Sequence, residues 1–333
     1  MNFESYPPPF RQPPQNSYSE NYTTSHTSTA LQDSDFIPTI DLQCLNQLDN
    51  KLEDACKNWG LFRLVNHGVP PTLLSQLQDH AKKLFSLSFE SKQALFTSPL
   101  SYFWGTPALS PSGTALLKRS QDINWVEGLN VPLGQLSQIQ PQDFTLASFR
   151  VLLEEYRKHL ARVARALFDS MLKNLNLDTI ESKSNLSESN GSLRVYRYPY
   201  YSNADSAWGM DVHTDSSVLS ILNQDEVGGL EVLKDDQWFT VKPIPNTLIV
   251  NLGDMMQAIS DDEYKSVKHR VKVNKYKERL SICYFVFPEE GSVIRSLKYK
   301  PFTYSDFQAQ VQQDIKTLGH KVGLDRFKLI TND

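Results

Sequence analysis

Between Leu193 and Phe287 the chain passes through a close succession of short β-rich segments, and turn residues fill the gaps. The segments are L-R-V-Y-R-Y, S-V-L-S-I-L, G-L-E-V-L, W-F-T-V, T-L-I-V-N-L, K-H-R-V-K-V and R-L-S-I-C-Y-F-V-F. Gly228-Gly229, Asp235-Asp236, Pro243, Pro245 and Gly253 punctuate them. Many short strands at such spacing predict a sandwich or jelly roll, not a doubly wound parallel sheet.

The preceding half has a different texture. Residues 1–35 are rich in Pro, Ser, Thr, Gln and Tyr without an apolar period, which predicts a flexible tail. Ile37–Leu42 reads as a short strand. Leu45, Leu48, Leu52, Ala55 and Trp59 recur at helical spacing up to Gly60, and Leu61–Val69 reads as a second strand. A second amphipathic helix carries Leu74, Leu77, Ala81, Leu84 and Phe85. A long helix follows Asp143, a suitable N-cap, with Leu153, Tyr156, Leu160, Val163, Leu167 and Met171 as its buried stripe. The polar run Glu181–Ser192 predicts a loop dividing a helical N-terminal region, 36–180, from a strand-rich domain, 193–327, whose last stretch from Tyr304 is again helical.

Composition narrows the function classes. A net charge of −4 and a pI near 6.0 give no basic field for nucleic acid. No apolar run is long enough to span a membrane, and the first residues lack the basic and apolar regions of a secretory signal. Cys44, Cys56 and Cys283 are too few and scattered for a disulfide framework and suit a reducing compartment. The expectation is a cytoplasmic protein with a small-molecule substrate. Nothing in the sequence indicates an oligomer.

D-V-H-T-D-S-S-V-L-S-I-L places His213 and Asp215 two residues apart beside an apolar strand. Strand geometry puts residues i and i+2 on one face, so an imidazole and a carboxylate project together. His269 lies 56 residues further on in another strand pattern, K-S-V-K-H-R-V-K-V, far enough for a jelly roll to pass through several strands and return. Two histidines and one carboxylate on one side of an ion leave coordination positions open, which suits non-haem Fe(II) and O2 chemistry. His67, His80, His159 and His320 have no carboxylate at ligand spacing in a strand context, and His26 falls in the tail.

R-L-S-I-C-Y-F-V-F adds Arg279 and Ser281 on one face of a strand that is almost wholly apolar from Ile282 onward. A guanidinium buried there requires an anion, and Arg with a neighbouring hydroxyl is a good carboxylate receptor. A co-substrate with a distal carboxylate and a 2-oxo acid at its other end, 2-oxoglutarate, could bridge this receptor and a metal.

These motifs resemble those of the plant 2-oxoglutarate/Fe(II) dioxygenases over about Ile37 to Phe327. The resemblance is carried by V-H-T-D, K-S-V-K-H-R-V, R-L-S and A-C-K-N-W-G-L-F-R-L-V-N-H-G-V-P. It implies a mainly β fold with α elements: a double-stranded β-helix (cupin-like jelly roll) core flanked by helices. It implies Fe(II), 2-oxoglutarate and O2, with ascorbate as reductant, and assigns Tyr198 a hydroxyl on the co-substrate carboxylate. Tyr196 stands where many members carry asparagine. Within the family the chain is most similar to gibberellin 2-oxidases of the C20 group, through F-W-G-T-P (Phe103 to Pro107), N-W-V-E-G-L-N-V-P-L (Asn124 to Leu133), N-Q-D-E-V-G-G-L-E-V-L (Asn223 to Leu233) and P-F-T-Y-S-D-F (Pro301 to Phe307). The same resemblance places Phe285 toward the substrate and makes Trp104 and Trp125 candidates for the pocket wall.

Three other readings share parts of this pattern. A relative oxidising another small acid would keep the triad and the anchor. A zinc hydrolase would use the triad and leave Arg279 without a task. A receptor on the same scaffold would bind a ligand without turnover.

Overall fold

Strands read from the turn-punctuated half pair antiparallel, in two sheets that pack face to face. The computed structural model describes residues 3–11, 36–45, 50–105, 124–139, 143–178, 182–201 and 207–329. The larger sheet has eight strands in the order β1 (Thr39–Asp41), β2 (Leu61–Val65), β10 (Leu248–Leu252), β7 (Leu219–Gln224), β12 (Arg279–Phe287), β5 (Ser187–Tyr198), β4 (Glu127–Pro132) and β3 (Ser101–Trp104). The smaller has the order β6 (Trp208–His213), β11 (His269–Lys272), β8 (Leu230–Lys234) and β9 (Gln237–Thr240). Asp235 and Asp236, at φ 48° and 59°, form the two-residue turn between β8 and β9 that a tight hairpin requires. Short strands β13 (Val293–Ile294) and β14 (Phe302–Thr303) pair separately. The result is a jelly-roll core with flanking helices.

Alternation along each strand of the large sheet divides two cores. Leu280, Ile282, Tyr284 and Val286 of β12 join Leu219 and Ile221 of β7 against the helices. These are α1 (Lys51–Asn58), α2 (Pro71–Phe85), α3 (Phe89–Leu95) and the long α4 (Phe144–Asn174). Asp143 caps α4 by accepting from the backbone N–H groups of Thr145 and Leu146. Each large apolar side chain buried on this face contributes about 1.5–3 kcal/mol. The opposite face closes over the small sheet, with Tyr196, Tyr198, Met210, Leu222, Val271 and Cys283 forming the second core.

Four sequence expectations change. The stretch 181–192, expected to divide a helical half from a strand-rich half, does not separate the sheet, because β1 to β4 from the N-terminal region extend both ends of the large sheet. The polar run expected as a loop starts β5 at Ser187. Its backbone pairs with β12 (Ser192 opposite Phe285, Gly191 opposite Val286), so ladder hydrogen bonds outweigh weak side-chain propensity. The C-terminal helix α6 (Tyr304–Leu318) begins at a Thr303/Asp306 capping box and ends at Gly319, whose φ of 83° terminates it short of Phe327.

The fourth change concerns the expected tail. Residues 12–35 lie outside the described residues, but residues 3–11 are seated on the body. Tyr6 is buried, its ring packs on Trp104 and Trp125, and the Ser5 carbonyl accepts from Lys92 Nζ at 2.8 Å. Two aromatic rings supply the apolar area that the segment's composition lacks.

Candidate metal centre and anion anchor

His213 ends β6 and His269 begins β11, directly opposite each other in the antiparallel ladder, with ring centroids 4.2 Å apart. Asp215 follows two residues after His213, in the loop leading to β7. Its Oδ1 lies 3.9 Å from His213 Nε2 and 3.7 Å from His269 Nε2. Ligand atoms of the three residues fall within 4.8 Å of one another, the one such group among the described residues.

The hydrogen bonds around these groups prepare them for a cation. His213 Nδ1 faces the Asp211 carbonyl at 2.7 Å and His269 Nδ1 faces the Val267 carbonyl at 3.2 Å. Those acceptors hold the Nδ1–H tautomer and turn both Nε2 lone pairs toward the shared space. Ser220 Oγ donates to Asp215 Oδ2 at 2.6 Å and leaves Oδ1 facing the imidazoles. Burial, with His269 alongside, pushes the His213 imidazole down to about 4, so it is a neutral donor near neutral pH. Burial alone would raise Asp215, but His269, His213 and Ser220 hold its carboxyl below the usual range. Two imidazoles and one carboxylate fit Fe(II) with open positions.

Arg279 and Tyr198 are opposite each other on β12 and β5, and the guanidinium carbon lies 4.9 Å from the Tyr198 ring centre. Arg279 is 1% exposed. Its Nη1 donates to Ser281 Oγ at 3.0 Å and its Nη2 to Gln224 Oε1 at 3.1 Å, both neutral acceptors, while Nε has no partner among the described residues. The nearby Asp225 carboxylate is already engaged by the backbone N–H groups of Leu280 and Val227. A buried guanidinium with an unused donor is a receptor for an added carboxylate, as 2-oxoglutarate would supply. Burial keeps the Tyr198 phenol protonated. Gly209 makes room for that ring, since a Cβ there would meet Tyr198 Cδ1 at 2.6 Å.

Phe285 lies on the same face of β12 as Arg279 and Ser281, with the Arg194 guanidinium 4.9 Å from its ring centre. Arg194 lines a cavity of about 390 Å³ together with Asn130, Phe287, Glu289 and Tyr304. Trp104 and Trp125 do not line it. They meet edge to face at 5.6 Å, and Tyr6 and Phe10 cover them. Gln224, Ser220, Arg194 and Asn124 were not singled out by spacing. Asn124 accepts from the Asp211 N–H at 3.0 Å across 87 positions, a proximity no local pattern encodes. His67 is a structural histidine whose Nδ1 accepts from the Val69 N–H at 3.1 Å.

Comparison with known proteins agrees with this geometry. Residues 189–288 match the family model of the 2OG-Fe(II) oxygenase superfamily, and residues 37–141 match that of the non-haem dioxygenase in morphine synthesis N-terminal region. Gibberellin 2-beta-dioxygenase 7 of Arabidopsis thaliana is 34% identical over 328 residues, 94% of each chain. Gibberellin 2-beta-dioxygenase 6 of Oryza sativa subsp. japonica is 33% identical, covering 87% of this chain and 84% of its own. Flavonol synthase 1 of Crocosmia x crocosmiiflora is 33% identical, over 82% of this chain and 85% of its own. Among solved structures, JOX2 in complex with 2OG, Fe and JA superposes with a TM-score of 0.73 at 28% identity, over 88% of this chain and 89% of that one.

Proposed function

The chain belongs to the 2-oxoglutarate/Fe(II) oxygenase superfamily and is a dioxygenase that uses both cofactors; from that premise we propose that it hydroxylates a gibberellin, at the 2β position, and so inactivates the hormone. The observation that carries the substrate class is Arg194, which lines the cavity and sets its guanidinium 4.9 Å from the ring centre of Phe285, a residue paired in the sheet with Ser220, the hydroxyl that holds Asp215. An aromatic floor with a guanidinium above it suits a rigid apolar skeleton bearing a carboxylate, which is the chemistry of a gibberellin.

In this reading His213, Asp215 and His269 hold the iron, while Arg279, Ser281 and Tyr198 receive the distal carboxylate of 2-oxoglutarate. Bound iron and 2-oxoglutarate supply, with O2, an oxidant able to hydroxylate an unactivated C–H bond. Ascorbate serves as reductant for the iron. The rest is the work of the chain. The two backbone carbonyls fix the imidazoles, Gln224 and Ser281 aim Arg279, and the apolar barrel wall excludes water from the reacting carbon. Phe285 and Arg194 turn one face of the substrate toward the metal. No acid–base pair is needed, because the group attacked is a C–H bond.

Among the described residues no helix is long and apolar enough to cross a membrane, and the three cysteines are free. We place the protein in the cytoplasm, which cell fractionation checks. The substrate test is a gibberellin panel incubated with Fe(II), ascorbate and 2-oxoglutarate, with products identified by mass spectrometry. The expected result is a hydroxylated gibberellin with equimolar succinate. Turnover of a neutral flavonoid and of no gibberellin would overturn the assignment in favour of flavonoid chemistry, a reading the flavonol synthase similarity supports.

A further inference from the structure

The loop that carries Asp215 has no strand partner at residues 214–216, so something other than a ladder must hold it. One side is fixed by backbone: Asp254 N–H donates to the Asp215 carbonyl at 2.8 Å, and Met255 N–H to the Ser217 carbonyl at 3.2 Å. These donors open α5 (Asp254–Ile259). The other side is held by one side chain from the far end of the chain. Lys321 Nζ lies 3.0 Å from the Thr214 carbonyl, 3.1 Å from Thr214 Oγ1 and 2.9 Å from Ser216 Oγ. It therefore grips the residues on both sides of Asp215. Its charge is met by Asp254 Oδ2 at 2.6 Å.

We propose that Lys321 is a positioning residue for the metal: a latch by which the segment after α6 sets the direction of the Asp215 carboxylate. The ammonium divides its three protons among four oxygens, two of them on Thr214, so the loop cannot rotate without losing several charge-assisted bonds at once. Lys321 is itself held. Its Nζ sits 5.6 Å from the ring centre of Phe307, a fully buried residue of α6. Pairing with Asp254 also answers an objection to a cation beside a metal site. The pair is neutral as a whole, which reduces the repulsion the ammonium alone would exert on a bound ion. The same segment reaches the cavity at its other end, where Tyr304 stacks on Phe287 at 4.4 Å. The C-terminal unit thus spans from cavity wall to metal loop.

The inference rests on the metal centre assigned above, and its test separates the two. Mn(II) is titrated into the whole protein and the free ion is followed by its EPR signal. Lys321→Met, which keeps most of the apolar stem, is expected to weaken Mn(II) binding about tenfold or more, the usual cost of losing a partner that orients a ligand. Ser216→Ala keeps the Lys321–Asp254 pair and removes one of the gripped oxygens; about threefold is expected. Arg326→Gln breaks the Arg326–Asp314 pair in the same C-terminal segment at 2.9 Å without touching the loop. It should lower Tm and leave Mn(II) affinity within about twofold. Lys321→Met and Ser216→Ala both binding Mn(II) as wild type does would overturn the latch. So would Arg326→Gln weakening it as much as Lys321→Met, since general loosening would then suffice. If Lys321→Met does not fold, Ser216→Ala decides alone. If Asp215→Ala bound Mn(II) normally, the metal assignment would fall and the latch with it.

Discussion

The two faces of β12 are built from the same nine residues and have opposite tasks. Toward α4 the strand presents Leu280, Ile282, Tyr284 and Val286, each at most 1% exposed and packed among aliphatic and aromatic neighbours. Toward the small sheet it presents Arg279, Ser281, Cys283 and Phe285, also buried but chemically mixed. The first face is held by packing, and its single polar side-chain atom, the neutral Tyr284 hydroxyl, has no partner among the described residues. The second keeps an unused guanidinium N–H and stands across from a carboxylate and two imidazoles with their lone pairs turned inward. The difference teaches that burial alone does not identify a stabilising residue. On one face burial is the purpose, and on the other it is a cost borne to keep water from a reacting centre.

This contrast can be broken by substitution, and the largest effect is expected at the metal. Asp215→Ala removes the only carboxylate of the cluster and should reduce metal-dependent turnover below detection, with Tm of the metal-free protein little changed; succinate release and a thermal melt check both. Ile282→Ala, on the helix-facing side, should do the reverse. It is expected to cost about 2–5 kcal/mol of stability in denaturant melts while the KM for 2-oxoglutarate stays within about twofold. Ser281→Ala, one residue away on the other face, should raise that KM about tenfold through the lost donor and cost less stability than Ile282→Ala, about 1–2 kcal/mol, since Arg279 Nη1 loses its acceptor. Gly209→Ala should have the smallest effect on KM, a rise of a few fold, because the added methyl meets the buried Tyr198 ring at 2.6 Å and must displace it slightly. If Ile282→Ala instead raised the KM as much as Ser281→Ala, the division between the faces would not exist.

Much of this was legible in sequence because strand period is local. His213 with Asp215, and Arg279 with Ser281, each need only a spacing of two to share a face. The apolar character of β12 from Ile282 onward signalled its enclosure before any coordinates. Elements whose partners lie far along the chain were not legible. Lys321 meets Thr214 and Ser216 across more than a hundred positions, and a lysine after a helix-ending glycine looks like any solvated charge. The family resemblance made Trp104 and Trp125 candidates for the pocket wall, and no local pattern showed that Tyr6 and Phe10 would pack on them, from a segment whose composition suggested no structure. The start of β5 was misread for the same reason in reverse. Its Ser, Asn and Gly residues favour turns, and pairing with the Phe285–Phe287 stretch of β12, and with Pro132 of β4 at Ser192, makes them a strand.

The most direct test of the account is an anaerobic titration of 2-oxoglutarate into the Fe(II)-loaded protein, following the visible charge-transfer absorption that chelation produces, in wild type and in Arg279→Met. The account predicts a band in both proteins, with the midpoint moved up about a hundredfold by Arg279→Met, and a Tm for the metal-free variant equal to or above that of wild type, since an unpaired buried charge has been removed. An unchanged midpoint, or a Tm that collapses with the substitution, would mean that Arg279 is a structural residue and that the barrel-facing side of β12 does not hold the co-substrate.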